Sequence, residues 1–106
     1  MSVIQERAIL ALDAIKSAFG TDAGADSVDL FIEHHLDELP NSYWVEHLSS
    51  GDPQPSAVLG LLVLRDSWGE DDAENFDFTL PGDVTDYVLS VHFDESGQID
   101  GIAMES

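Results

Sequence analysis

The chain contains no cysteine. A disulfide framework, a thiolate metal site and a cysteine nucleophile are therefore excluded, and the composition suits a reducing cytosol. Basic residues are nearly as scarce. Arg7, Lys16 and Arg65 are the only three among 106 residues, set against 22 Asp and Glu, and the formal net charge is −19. So few cations argue against direct nucleic-acid binding, because phosphate contacts rest on Lys and Arg. They also leave little to hold an anionic substrate or to stabilise an oxyanion. A long apolar run is missing as well: the longest, Ala57 to Leu64, falls far short of the ~20 residues that span a bilayer. The opening MSVIQERAIL has no basic n-region and does not read as a signal peptide. The expected location is cytoplasmic.

What is present is the composition of one ordinary globular domain, residues 1–106, with 43% hydrophobic and 24% charged residues. The charge is unevenly placed. Residues 1–65 hold ten acids and all three bases, a net −7; residues 66–106 hold twelve acids and no base, a net −12. Such a surplus destabilises a compact chain by self-repulsion. Two explanations stand side by side. The acidity serves solubility or a salty, cation-rich compartment, or it forms a surface selected to meet a basic partner.

Read in order, Ile4, Ala8, Ala11, Leu12, Ile15 and Phe19 fall on one stripe of a helix over 3–19, which Gly20 ends as a C′ glycine. Ser27 reads as the N-cap of a second helix. Its apolar face is Val28, Phe31, Ile32, His35, Leu36 and Leu39, and Asp29, Glu33 and Asp37 line the other face. Pro40 stops it, and Asn41 or Ser42 opens a short third helix through Ser49 with Trp44 and Leu48 turned inward. SGDPQP, residues 50–55, is a loop. The stretch SAVLGLLVLRDSWG fits either state over residues 56–62; a short helix there runs into a strand over about 62–68. GEDDAEN, 69–75, is an acidic turn. Phe76, Phe78 and Leu80 alternate with Asp77 and Thr79 as a strand, Pro81-Gly82 reads as a type II turn pair, and residues 86–93 alternate again. DESG, 94–97, is a hairpin loop and 98–105 the last strand. The expected architecture is α+β: three to four helices (about 3–62) on one face of an antiparallel meander of about four strands (about 62–105).

No motif for catalysis emerges. A nucleophile elbow, a phosphate-cradling glycine loop, a dinucleotide fingerprint and an HExxH pair are all absent. His34, His35 and His47, with Asp37 and Glu38, raise the question of a metal. The better reading puts His35 on the apolar flank as a satisfied core residue and leaves His34 solvated. Glu70, Asp71, Asp72 and Glu74 lack the EF-hand pattern and read as a solvated turn. The expectation is therefore a non-enzymatic protein without cofactor or metal. Both Trp44 and Trp68 read first as core residues. Trp68 immediately precedes the acidic turn, however, and an aromatic anchor ringed by carboxylates suits a Lys- or Arg-rich partner.

The runs FDFTLPGDVTDYVLSVHFDESGQIDGIAMES (76–106) and LVLRDSWGE (62–70) resemble a family of small acidic bacterial proteins known chiefly as a domain of unknown function. That resemblance covers under half of the chain and carries no catalytic residues. Size, acidity and lack of evident chemistry are also similar in character to immunity proteins, which plug the basic active sites of toxins. The leading expectation is accordingly an immunity-type inhibitor of a toxin such as a nuclease. Asp66, Trp68, Glu70, Asp71, Asp72, Glu74 and Asp77 would receive the basic protein partner, helped by the acidic face of the second helix. The alternative is a small soluble domain with an assembly role or an unknown ligand.

Overall fold

A computed structural model describes residues 2–106. Among the described residues four α-helices come first: α1 (Val3–Ala18), α2 (Val28–Glu38), α3 (Asn41–Leu48) and α4 (Pro55–Leu59), with a 3₁₀ turn at Asp22–Gly24. Four strands follow: β1 (Val63–Trp68), β2 (Asn75–Thr79), β3 (Val88–Phe93) and β4 (Ile99–Glu105). They form one antiparallel sheet in the order β1-β2-β3-β4. The α+β expectation holds.

Local chemistry accounts for most boundaries. Ser2 accepts from the Gln5 N–H, and the Gln5 side chain takes the Ser2 N–H in return, a capping box that starts α1. Gly20 follows the C-terminus of α1 at φ +79°. Ser27 occupies the N-cap position of α2, but its hydroxyl makes no capping bond and is buried without a partner. This departs from the expected cap. Its backbone carbonyl alone bonds forward, to the Phe31 N–H. Asp29 instead reaches back to accept from the Gly20 N–H at 2.9 Å, tying the start of α2 to the end of α1. Residues 60–62 are not helical. α4 ends at Leu59, and Leu62 is buried in the connection to β1.

The core lies between the helices and one face of β2 and β3. Ile15, Val28, Phe31, Ile32 and Trp44 meet Phe76, Phe78, Leu89, Val91 and Phe93, all almost fully buried. Each large side chain so buried contributes about 1.5–3 kcal/mol. α1 packs over β2, and α2 over β3 and β4. No residue of β1 is buried. β1 is the edge strand that the helical layer leaves open.

Candidate functional site

The open side of the sheet follows from the register. Asp66 pairs with Asp77, Asp77 with Ser90, and Ser90 with Ala103; Trp68 pairs with Asn75, Asn75 with His92, and His92 with Gly101. These residues therefore share the face opposite the helices. Small residues at Ser90, Gly101 and Ala103 leave a groove of about 500 Å³, bounded by Trp68, Asp77, His92 and Glu105.

Trp68 does not join the core. It is 48% exposed, whereas Trp44 is 1% exposed, so the reading of both tryptophans as core residues holds for Trp44 alone. The reason is strand order: an outward side chain on an edge strand has no layer above it. Trp68 instead donates its indole Nε1–H to Asp77 Oδ2 at 3.1 Å. The other Asp77 oxygen is shielded from solvent and has no partner. The Asp77 carboxyl group is thus under-satisfied, held at the edge of the indole by a single hydrogen bond.

Beyond Trp68 the chain makes the acidic turn. Gly69 has φ +94°, Asp71 φ +57° and Asp72 φ +56°. Aspartate tolerates the left-handed region better than most residues, and the turn throws Glu70, Asp71 and Asp72 into solvent. Glu70, Asp71 and Glu74 line a cleft of about 730 Å³ with Asp94 and Glu95 of the β3–β4 hairpin. The start of α1 forms its other wall. Arg7 braces it: its Nη1 donates to Ala73 O at 2.6 Å, and its guanidinium lies 5.1 Å from the centre of the Phe93 ring.

His92 stands between the two concavities. Its Nδ1 bonds Asp100, its Nε2 lies 3.6 Å from Glu74 Oε1, and it lines both the cleft and the groove. The Asp100 hydrogen bond, aided by the charge of Glu74, raises its pKa above the ordinary histidine value. In the hairpin, Asp94 accepts from the Ser96 hydroxyl and from the Ser96 and Gln98 N–H groups, which lowers its pKa.

The expected partner-binding residues thus fall into two neighbouring groups. Asp66, Trp68 and Asp77 share the open sheet face; Glu70, Asp71 and Glu74 line the cleft. Asp72 is exposed on the turn and lines neither concavity. The acidic face of α2 is not continuous with them, because α2 covers β3 and β4 from the other side of the sheet. Reasoning from sequence missed Arg7 and His92. Arg7 lies four residues from both Val3 and Ala11, on the flank of the apolar stripe of α1, and that spacing was a usable signal.

The histidines of α2 do structural work. Phe31 O can only accept, so His35 carries its proton on Nδ1 (2.7 Å) and accepts the Thr85 hydroxyl on Nε2 (2.9 Å). Burial holds its pKa below the ordinary value. The Thr85–His35 pair has the geometry of a hydroxyl facing a base, yet neither residue lines the cleft or the groove. It ties the β2–β3 connection to α2. His34 is half-buried rather than solvated, its ring edge-on to Tyr87 at 5.0 Å. Among the described residues, no three His, Asp or Glu side chains are grouped as a metal ion would need.

Among the described residues no helix is long and apolar enough to cross a membrane. Comparison with protein-family models, with curated proteins and with solved structures finds no match to this chain.

Proposed function

We propose that this chain is a non-enzymatic acidic binding protein that receives a basic protein partner on its 66–77 segment. We further propose that it acts as an immunity-type inhibitor, covering the cationic active site of a bacterial toxin such as a nuclease. One observation carries the reading: Trp68 stands half exposed on an uncovered edge strand, bonded to Asp77, within a segment that holds no lysine or arginine. A large aromatic at the centre of a patch supplies contact area at low entropic cost, and the surrounding charge sets encounter rate and partner choice.

The test begins with the tethered protein in lysate of the producing cell at low salt, followed by a salt gradient. One basic protein should be retained, and one-to-one mixing should abolish its enzymatic activity. The double variant Asp71→Asn/Asp72→Asn keeps a residue that tolerates the left-handed backbone and removes two charges. It should lower the association rate on the order of tenfold at low salt. Retention only of generic basic proteins, held equally well by the variant, would leave the acidity as a solubility trait.

A further inference from the structure

We propose that the free edge of β1 accepts an extended, cationic segment of the partner as a fifth strand, and that Asp66 is the latch that admits it. The inference rests on the acidic-docking reading above and adds the mode of binding.

The backbone carries the first step. Trp68 O accepts the Glu74 N–H, so the Trp68 peptide groups face inward, toward β2. Alternation along a strand then turns the N–H and C=O of Ser67 to the free side. Ser67 N–H has indeed found a partner within its own strand: it donates to Asp66 Oδ1 at 2.9 Å. The edge is capped by a neighbouring carboxylate.

Side chains carry the second step. Val63, Leu64 and Trp68 are 44%, 42% and 48% exposed. An exposed apolar edge strand invites pairing, and proteins blunt such edges with bulges and charges. β1 has both, an irregularity between Leu64 and Asp66 and the Asp66 carboxylate itself. The other edge, β4, carries no exposed large hydrophobic residue.

Charge selects the occupant. On the open face an added strand would run beside Val63, Asp66 and Trp68; on the helical side it would run beside Leu64 and Ser67. A segment that alternates cationic and aliphatic residues fits both. Its guanidinium groups bond Asp66 and stack on the Trp68 indole, while its aliphatic residues cover Leu64. Drawing the Asp66 carboxylate onto a cation releases Ser67 N–H to the incoming backbone. A second copy of the chain fits poorly, because it brings another net −19 and a second Asp66 to the same edge. Arg65, the one cation on the strand, is too little to offset that.

The probe is a ten-residue peptide alternating arginine and valine, titrated into isotopically labelled protein at low salt. Its control is a peptoid carrying the same side chains on its backbone nitrogens, with charge intact and no N–H to donate. The peptide should shift the β1 amides, protect the Ser67 amide from hydrogen exchange, and bind at least tenfold more tightly than the peptoid. Asp66→Asn should weaken peptide binding several-fold while leaving the amide spectrum of the helices unchanged. Equal binding of peptide and peptoid would overturn strand addition yet leave charge-driven docking standing. Shifts confined to β4, no binding of either probe, or a β1-paired dimer in sedimentation would overturn it as well.

Discussion

Trp44 and Trp68 put one side chain type to two uses, decided by where each lands. Trp44 is sealed among the helices with its indole N–H unpartnered, so its contribution is packing. Trp44→Ala should cost about 3–5 kcal/mol in urea titration. Trp68→Ala removes one surface hydrogen bond and the covered half of the side chain, and should cost less than Trp44→Ala, about 1–2 kcal/mol. It should nevertheless weaken partner binding the most of any single exposed substitution. Acrylamide should quench the fluorescence of Trp68 and not that of Trp44. His35 and His92 likewise act in opposite directions with pH. Folded His35 refuses a proton that the unfolded chain accepts near pH 6.5, so its contribution to stability is lost as pH falls below that value. Folded His92 binds its proton more tightly than the unfolded chain. Its contribution is complete below about pH 6.5 and is lost as pH rises through its raised pKa. Melting curves from pH 5 to 8 should show that His35→Gln flattens the acid limb and His92→Gln flattens the neutral limb. A wild-type profile retained by both variants would remove these assignments.

At the scale of the element, the turn between β1 and β2 is the most constrained piece. A Cβ on Gly69 would lie 2.5 Å from Glu74 Cβ, on a backbone with φ +94° and ψ −157° that only glycine takes readily. Gly69→Ala should therefore destabilise by about 2–3 kcal/mol and displace the acidic turn. Gly101→Ala, at the rim of the groove with nothing within 4 Å, should stay within about 0.5 kcal/mol. Thermal melts of the two variants side by side measure this, and equal losses would mean that the turn is not held as described. What is legible in the sequence follows from the same physics. β2 and β3 alternate because one face, with Phe76, Phe78, Leu89, Val91 and Phe93, packs against the helices, while the other carries Asn75, Asp77, Thr79, Ser90 and His92, polar side chains that are themselves largely covered. The stripes of α1 and α2 are plain because each buries a single side. β1 was not readable in this way. It is open on both faces, so burial imposes no pattern on VLRDSW, and the edge position that exposes Trp68 depends on strand order. The apolar run across residues 56–62 satisfies both periodicities at once, and only the tertiary arrangement ends the helix at Leu59. Ser27 stands at the expected N-cap, while its hydroxyl turns inward and Asp29 takes up a neighbouring amide.

For the whole molecule the governing quantity is charge. Among the described residues the only ion pairs are those of His92 with Glu74 and with Asp100, so almost none of the −19 is offset internally. Arg7, one of three bases, is spent on a backbone carbonyl. The folded state gathers the carboxylates that the unfolded chain spreads apart, and screening should therefore favour folding. Raising the ionic strength from 0.01 M to 1 M shortens the Debye length from about 30 Å to about 3 Å. A relief on the order of 1 kcal/mol would raise the melting temperature of a domain this size by about 4–8 °C. Binding has the opposite sign, because the attraction between this surface and a cationic partner is screened by the same ions. Salt should thus strengthen the fold and weaken the complex in one protein. Thermal melts and association rates measured over one sodium chloride series check both slopes together. A melting temperature that falls with salt would mean that attractive pairs hold the fold. A rising melting temperature with a salt-independent association rate would keep the repulsion argument and remove the acidic surface from the docking step.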